Sequence, residues 1–128
     1  MNMQLLADAL VALNEPDGYQ EWIKTFSDDE IVGIVGHGDG CPLWHFLTTT
    51  VPFPDAQRDH FHIDAEWLFL FGDNSLIVED QALTPHWAAR YIRLLDNVDI
   101  ALLDDGRYVP AALARRVLDV VLTNVSVA

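Results

Sequence analysis

Apolar positions recur at helical spacing from the first residues of the chain. Leu5, Leu6, Ala9, Leu10 and Leu13 share one face of a helix that Asn2 can cap, and Asn14-Glu15-Pro16-Asp17-Gly18 breaks it. Tyr19, Trp22, Ile23 and Phe26 mark a second amphipathic helix. Ser27 followed three residues later by Glu30 is a capping-box pattern, which predicts a short turn of helix running into Ile31 and Val32. After a glycine-rich loop, Pro42 opens a third helix that presents Leu43, Phe46 and Leu47 and ends near Thr48, where β-branched residues and Pro52 follow.

From His60 to Phe71 the period changes to two. Phe61, Ile63, Ala65, Trp67, Phe69 and Phe71 alternate against His60, His62, Asp64 and Glu66, which predicts one strand with the odd positions on the core face. Gly72-Asp73-Asn74-Ser75 reads as a turn and Leu76-Ile77-Val78 as the returning strand of a hairpin. Thr84 caps, and Pro85 opens, a helix carrying Trp87, Tyr91, Leu94 and Leu95; Pro110 starts a last helix that ends near Asn124. The sum is a single acidic α+β domain over residues 1–128, a small antiparallel sheet (a hairpin at about 60–79) packed by about four to five helices.

Composition narrows the function classes. With 51% hydrophobic residues in 128 the chain can bury a core without staples, and its one cysteine leaves no intramolecular disulfide. No leader pattern and no long apolar run is evident, so a cytoplasmic protein without membrane attachment is expected. Twenty acidic against seven basic side chains give a net charge of −13, which argues against direct nucleic-acid binding. It fits a protein partner instead, one that is basic or itself binds nucleic acid.

Candidate chemistry concentrates at Gly36-His37-Gly38-Asp39-Gly40-Cys41-Pro42, where alternate glycines lead into the cysteine at a helix start. A thiol in that place feels the helix N-terminus, which favours thiolate. Cys41 is therefore the candidate nucleophile, with His45 the candidate base and His37 or His60 in reserve. The glycine spacing is neither a phosphate loop, since no Gly-Lys-Ser/Thr follows, nor a dinucleotide fingerprint. His60 and His62 point to one strand face that Glu66 continues, and Cys41 and His45 are four apart on a helix. If the two elements meet, Cys41, His45, His60, His62 and Glu66 are the candidate metal ligands, a set that zinc accepts.

The spacing His60-x-His62-x-x-x-Glu66 is similar to the first metal motif of the cupins. However, Pro54 stands where that motif's leading glycine would be, and no second histidine motif follows. Cys41-Pro42-Leu43-Trp44-His45-Phe46-Leu47, with Thr84-Pro85-His86-Trp87 and Tyr91 later on, resembles a family of small uncharacterised bacterial and phage proteins. Those share a Cys-Pro-Leu helix start and a Pro-x-Trp helix. That resemblance implies no activity, and it implies that Cys41 and Trp87 serve the fold.

Bulky apolar residues at Trp67 to Phe71 occupy both faces of the predicted strand, so the second face needs a cover. Leu68 and Leu70 are the candidate interface residues, for the chain's own helices or for a homodimer. The favoured function is a non-enzymatic acidic protein-interaction or regulatory protein; a DNA mimic or a phage-related inhibitor would be its more specific form. The competing class is a small metal- or thiol-dependent enzyme centred on Cys41 and His60/His62.

Overall fold

In helix α1 (Asn2–Ala12) Leu6 and Ala9 are buried, as is Leu13 just beyond it, so the helical spacing of apolar residues is the spacing of the core face. The structure, a computed structural model, describes residues 2–72 and 77–127. Helix α2 (Asp17–Ile23) buries Tyr19 and Ile23. One half of the capping box then forms: Ser27 N donates to Glu30 Oε1 at 2.7 Å, whereas Glu30 N donates to the Ser27 carbonyl at 3.0 Å instead of its hydroxyl. It closes a turn rather than a helix. Ile31–Ile34 is strand β1, because Tyr108–Pro110 (β5) pairs with it antiparallel across a bulge between Ile31 and Gly33.

Helix α3 (Pro42–Thr50) starts where the sequence places it and runs two residues further. The Thr48 and Thr49 hydroxyls turn back onto the carbonyls of Trp44 and His45 at 2.9 and 2.7 Å, which keeps the β-branched run helical. A short helix α4 (Asp55–Arg58), absent from the sequence reading, follows.

The predicted strand is two strands. β2 (Phe61–Ile63), a turn at Asp64-Ala65-Glu66, and β3 (Trp67–Phe71) form a hairpin, and β4 (Val78–Leu83) pairs with β3 to give the order β2-β3-β4. Asp64 builds the turn, its Oδ1 accepting from the N–H groups of Glu66 and Trp67 at 2.8 Å each. Ile63 pairs with Leu68, so odd positions face inward in β2 and even positions in β3. The predicted turn after Gly72 falls, from Asp73 on, outside the described residues; the return strand begins at Val78.

Helix α5 (His86–Asp96) has Pro85 at its cap position, because the Thr84 hydroxyl is occupied by the Asp64 carbonyl at 2.8 Å. A 3-10 turn at Ile100–Leu102, then β5, lead into α6 (Ala111–Val127), with Pro110 closing the strand instead of opening the helix. One hydrophobic cluster joins residues of α1, α2, α3, α5, α6 and both sheets. Polar groups inside it are paired: Trp44 Nε1 donates to the Phe61 carbonyl and Trp87 Nε1 to that of Leu13, each at 2.8 Å. Arg115 reaches the carbonyls of Ile23 and Phe26 and the carboxylate of Asp28, tying α6 to the end of α2.

Candidate functional site

The condition for a shared site was that the helix of Cys41 and His45 meet the strand of His60 and His62; α3 does contact β2, and the glycine loop before it meets the strand edge. Ile63 N donates to the Gly38 carbonyl at 2.8 Å, and a side chain at position 38 would touch His62 Cβ and Nδ1 at 3.4 Å. Gly36 has φ of 78° and donates its N–H to Asp96 Oδ1 at 3.1 Å, an arrangement that suits glycine. A recess of about 100 Å³ lies there, lined by His37, Cys41, Asp64 and Asp96 among others.

Its chemistry is that of an inert thiol. Cys41 occupies the α3 cap position with extended backbone and is buried. Burial pushes its pKa up to about 11; the N–H groups of Trp44 and Leu43 pull down by less, and the Asp96 carboxylate adds to the rise. The expectation of a helix-activated thiolate is thus corrected, because desolvation outweighs the helix terminus. Among the described residues no imidazole is hydrogen-bonded to the sulfur. Cys41 and His45 line different recesses.

Two results follow from the buried thiol. Native protein at pH 8 should resist iodoacetamide and react on unfolding, as mass spectrometry of the Cys41 peptide would read; rapid native labelling would contradict the burial. The folded-state pKa lies above the usual value of 9.0, so the unfolded chain loses its proton first and stability falls as pH rises from 9 towards 11. Between pH 7 and pH 10 the thiol's share of the loss should be about 1.4 kcal/mol, and urea unfolding at those two pH values should show Cys41→Ala losing less by that amount, while the share of Tyr19 and Tyr91, whose pKa values burial also raises, remains.

The other ligand candidates do not gather with Cys41 into a group of three or more among the described residues. His45 stands in the first turn of α3, half-buried, its pKa lowered by desolvation with the Gly40 carbonyl opposing. His60 precedes β2 and His62 lies on it, its ring meeting that of Phe71 edge-on at 5.0 Å. Glu66 is exposed in the hairpin turn. Among the described residues no group of three or more His, Cys, Asp or Glu side chains is disposed to hold a metal ion.

The interface candidates are corrected as well. Leu68 and Leu70 are fully buried in the chain's own core, where α1 contacts β3. The residues on the outer face are Trp67, Phe69 and Phe71, each half-buried, with Phe69 and Phe71 stacked at 6.0 Å between ring centres and 29° between planes. Across the strands His62, Phe69 and Gln81 are in register, as are Trp67 and Leu83, the latter 68% exposed. The signal that would have found this face is Asp64, whose carboxylate serves the two following N–H groups as turn-forming aspartates do.

A separate groove of about 460 Å³ opens between α2, β1 and α3, walled by Trp22, Phe26, Tyr108 and His45. Among the described residues no Asp, Glu, Lys or Arg lines it, so its complement is an uncharged apolar group.

Charge is unevenly placed. Fifteen acidic and two basic residues precede Arg90, whereas five of each follow from it on, so the net charge belongs to the part of the chain that holds α1 to α4, β1 and the three-stranded sheet. Of the described carboxylates only Asp8 and Asp80 are half-buried; the others are exposed. Two ion pairs occur among the described residues, Lys24 with Glu21 and Arg115 with Asp28.

Comparison of the chain with protein-family models, with curated protein sequences and with solved structures yields no significant match. Among the described residues no helix is long and apolar enough to cross a membrane.

Proposed function

We propose that this protein works by binding a basic protein through its acidic N-terminal two-thirds, without covalent chemistry. The observation that carries the reading is the charge partition, with all of the net charge before Arg90 and nearly all of those described carboxylates exposed. An acidic field of this kind steers a basic partner and repels nucleic acid. The buried, proton-retaining thiol and the lack, among the described residues, of three ligand-type side chains gathered together favour the same reading over the thiol- or metal-enzyme alternative. A regulatory or inhibitory role is the more specific form of this reading.

The test begins with affinity capture from cells that express the protein, followed by binding of the captured partner to the purified chain. The expected partner is basic, its affinity falls as salt rises, and Cys41→Ala leaves it unchanged. Binding that is indifferent to salt, or that is lost in a folded Cys41→Ala variant, would overturn the reading.

A further inference from the structure

Sheet β2-β3-β4 has one face in the core and one outside. Its inner face carries Phe61, Ile63, Leu68 and Leu70, all buried, and its helical contacts are made by α1 and α3. Alternation along β3 leaves Trp67, Phe69 and Phe71 on the outer face, in a row along the strand. The row stands on the side of the sheet away from the core, in which Tyr19, Phe46, Phe53, Phe61, Trp87 and Tyr91 are packed.

The electrostatics of this face are one-sided. From Asp59 to Leu83 the chain has no lysine or arginine. Asp64 and Glu66 are exposed in the turn at one end of β3, and at the other end Glu79 Oε2 lies 3.1 Å from the place of a side chain on Gly72. Rings bordered by carboxylates, with no resident cation to compete, are the complement of a guanidinium. It stacks flat on an aromatic face while its N–H fork reaches a carboxylate. An ammonium is more strongly hydrated and gains less from the rings. A second copy of this chain would set one carboxylate rim against another, so the charge favours a basic occupant over self-association.

Spacing adds a register. Same-side residues of an extended chain are about 6.8 Å apart. The Phe69 and Phe71 ring centres are 6.0 Å apart, so arginines at every second position of an extended segment can each find a ring.

We propose that the outer face of the β2-β3-β4 sheet docks an extended protein segment bearing arginine at alternate positions. The proposal rests on the reading of the protein as a binder of a basic partner, and names the surface and the chemistry that partner presents.

Calorimetric titration with a capped Arg-Ser-Arg-Ser-Arg-Ser-Arg peptide and its lysine counterpart tests it at fixed, near-physiological salt. The arginine peptide should bind about five-fold tighter than the lysine one. Phe69→Leu and Phe71→Leu, which keep an apolar side chain and remove the ring, should erase that preference, with circular dichroism confirming the fold. Asp119→Asn on α6 should leave both affinities unchanged. Equal affinity for the two peptides, or indifference of the preference to the leucine substitutions, overturns this surface while leaving the acidic-binder reading in place. Failure of both peptides to bind counts against both. A homodimer in sedimentation velocity that Phe69→Leu and Phe71→Leu dissociate would assign the face to a second copy and overturn the proposal.

Discussion

Gly33→Ala is expected to destabilise the protein by about 3 kcal/mol or more, since among the described glycines it alone would bring a Cβ within 3.0 Å of other atoms. A Cβ at position 33 would lie 2.5 Å from Pro42 N, 2.6 Å from Pro42 Cδ and 2.8 Å from the Cys41 carbonyl carbon. These are backbone and ring atoms at the start of α3, with no rotamer into which to retreat. Movement of β1 is also resisted, since Ile34 N is bonded to the Gly40 carbonyl at 2.8 Å and Val35 N to that of Arg107 at 3.0 Å. Gly18→Ala is the matched control: it lies in α2, its Cβ would meet Phe46 Cζ at an ordinary 3.5 Å, and alanine is the better helix former. Urea unfolding should show a large fall in midpoint for the first and none for the second. Similar midpoints for both would show that β1 and α3 are not held in this contact.

The second large effect concerns the two tyrosines at the centre of the core. Tyr91 donates its hydroxyl to the Ala114 carbonyl at 3.2 Å, so the 2.6 Å contact with Tyr19 has Tyr19 as donor. Both side chains are fully buried. Tyr91→Phe strands the Tyr19 hydroxyl without an acceptor and should cost about 2 kcal/mol. Tyr19→Phe leaves Tyr91 still donating and should cost about half of that, on the order of 1 kcal/mol. The Tyr19→Phe/Tyr91→Phe double variant should be no worse than Tyr91→Phe alone, because the stranded hydroxyl is gone. Additive losses in the double variant would contradict the assigned donor direction.

The sequence made the helices legible wherever a packed face and a start signal coincided. Leu6, Ala9 and Leu13 announce α1, and Pro42 marks the first residue of α3 because a missing N–H costs nothing there. It misplaced elements where a distant partner decided. Ile31–Ile34 has a helix-start signal before it, yet its fate is set by pairing with β5, which no local pattern reveals. The hairpin failed for a subtler reason. Asp64-Ala65-Glu66 contains no glycine or proline, and hydrophobic alternation runs straight through it, so Asp64 alone, whose carboxylate bonds Glu66 and Trp67, marks the one-residue change of phase between β2 and β3.

That slip of phase also decided what was legible of the site. With odd positions taken as inward throughout, Leu68 and Leu70 were expected outside and the aromatic row inside; the register reverses both. The alternate glycines do mark special backbone, since Gly36 has a positive φ and Gly38 sits against His62. The reactivity of Cys41 was not legible, because it depends on how deeply the thiol is covered, and that follows from tertiary packing rather than from its neighbours in sequence.

The four tryptophans divide the molecule into separately readable regions. Trp44 and Trp87 are buried with their N–H groups on the carbonyls of Phe61 and Leu13, whereas Trp22 walls the groove and Trp67 stands on the outer sheet face. The first two indoles report the integrity of the core, and the other two each look onto a different open surface. The chain thus carries its own optical labels: emission from single-tryptophan variants would tell which surface a partner covers without any dye attached.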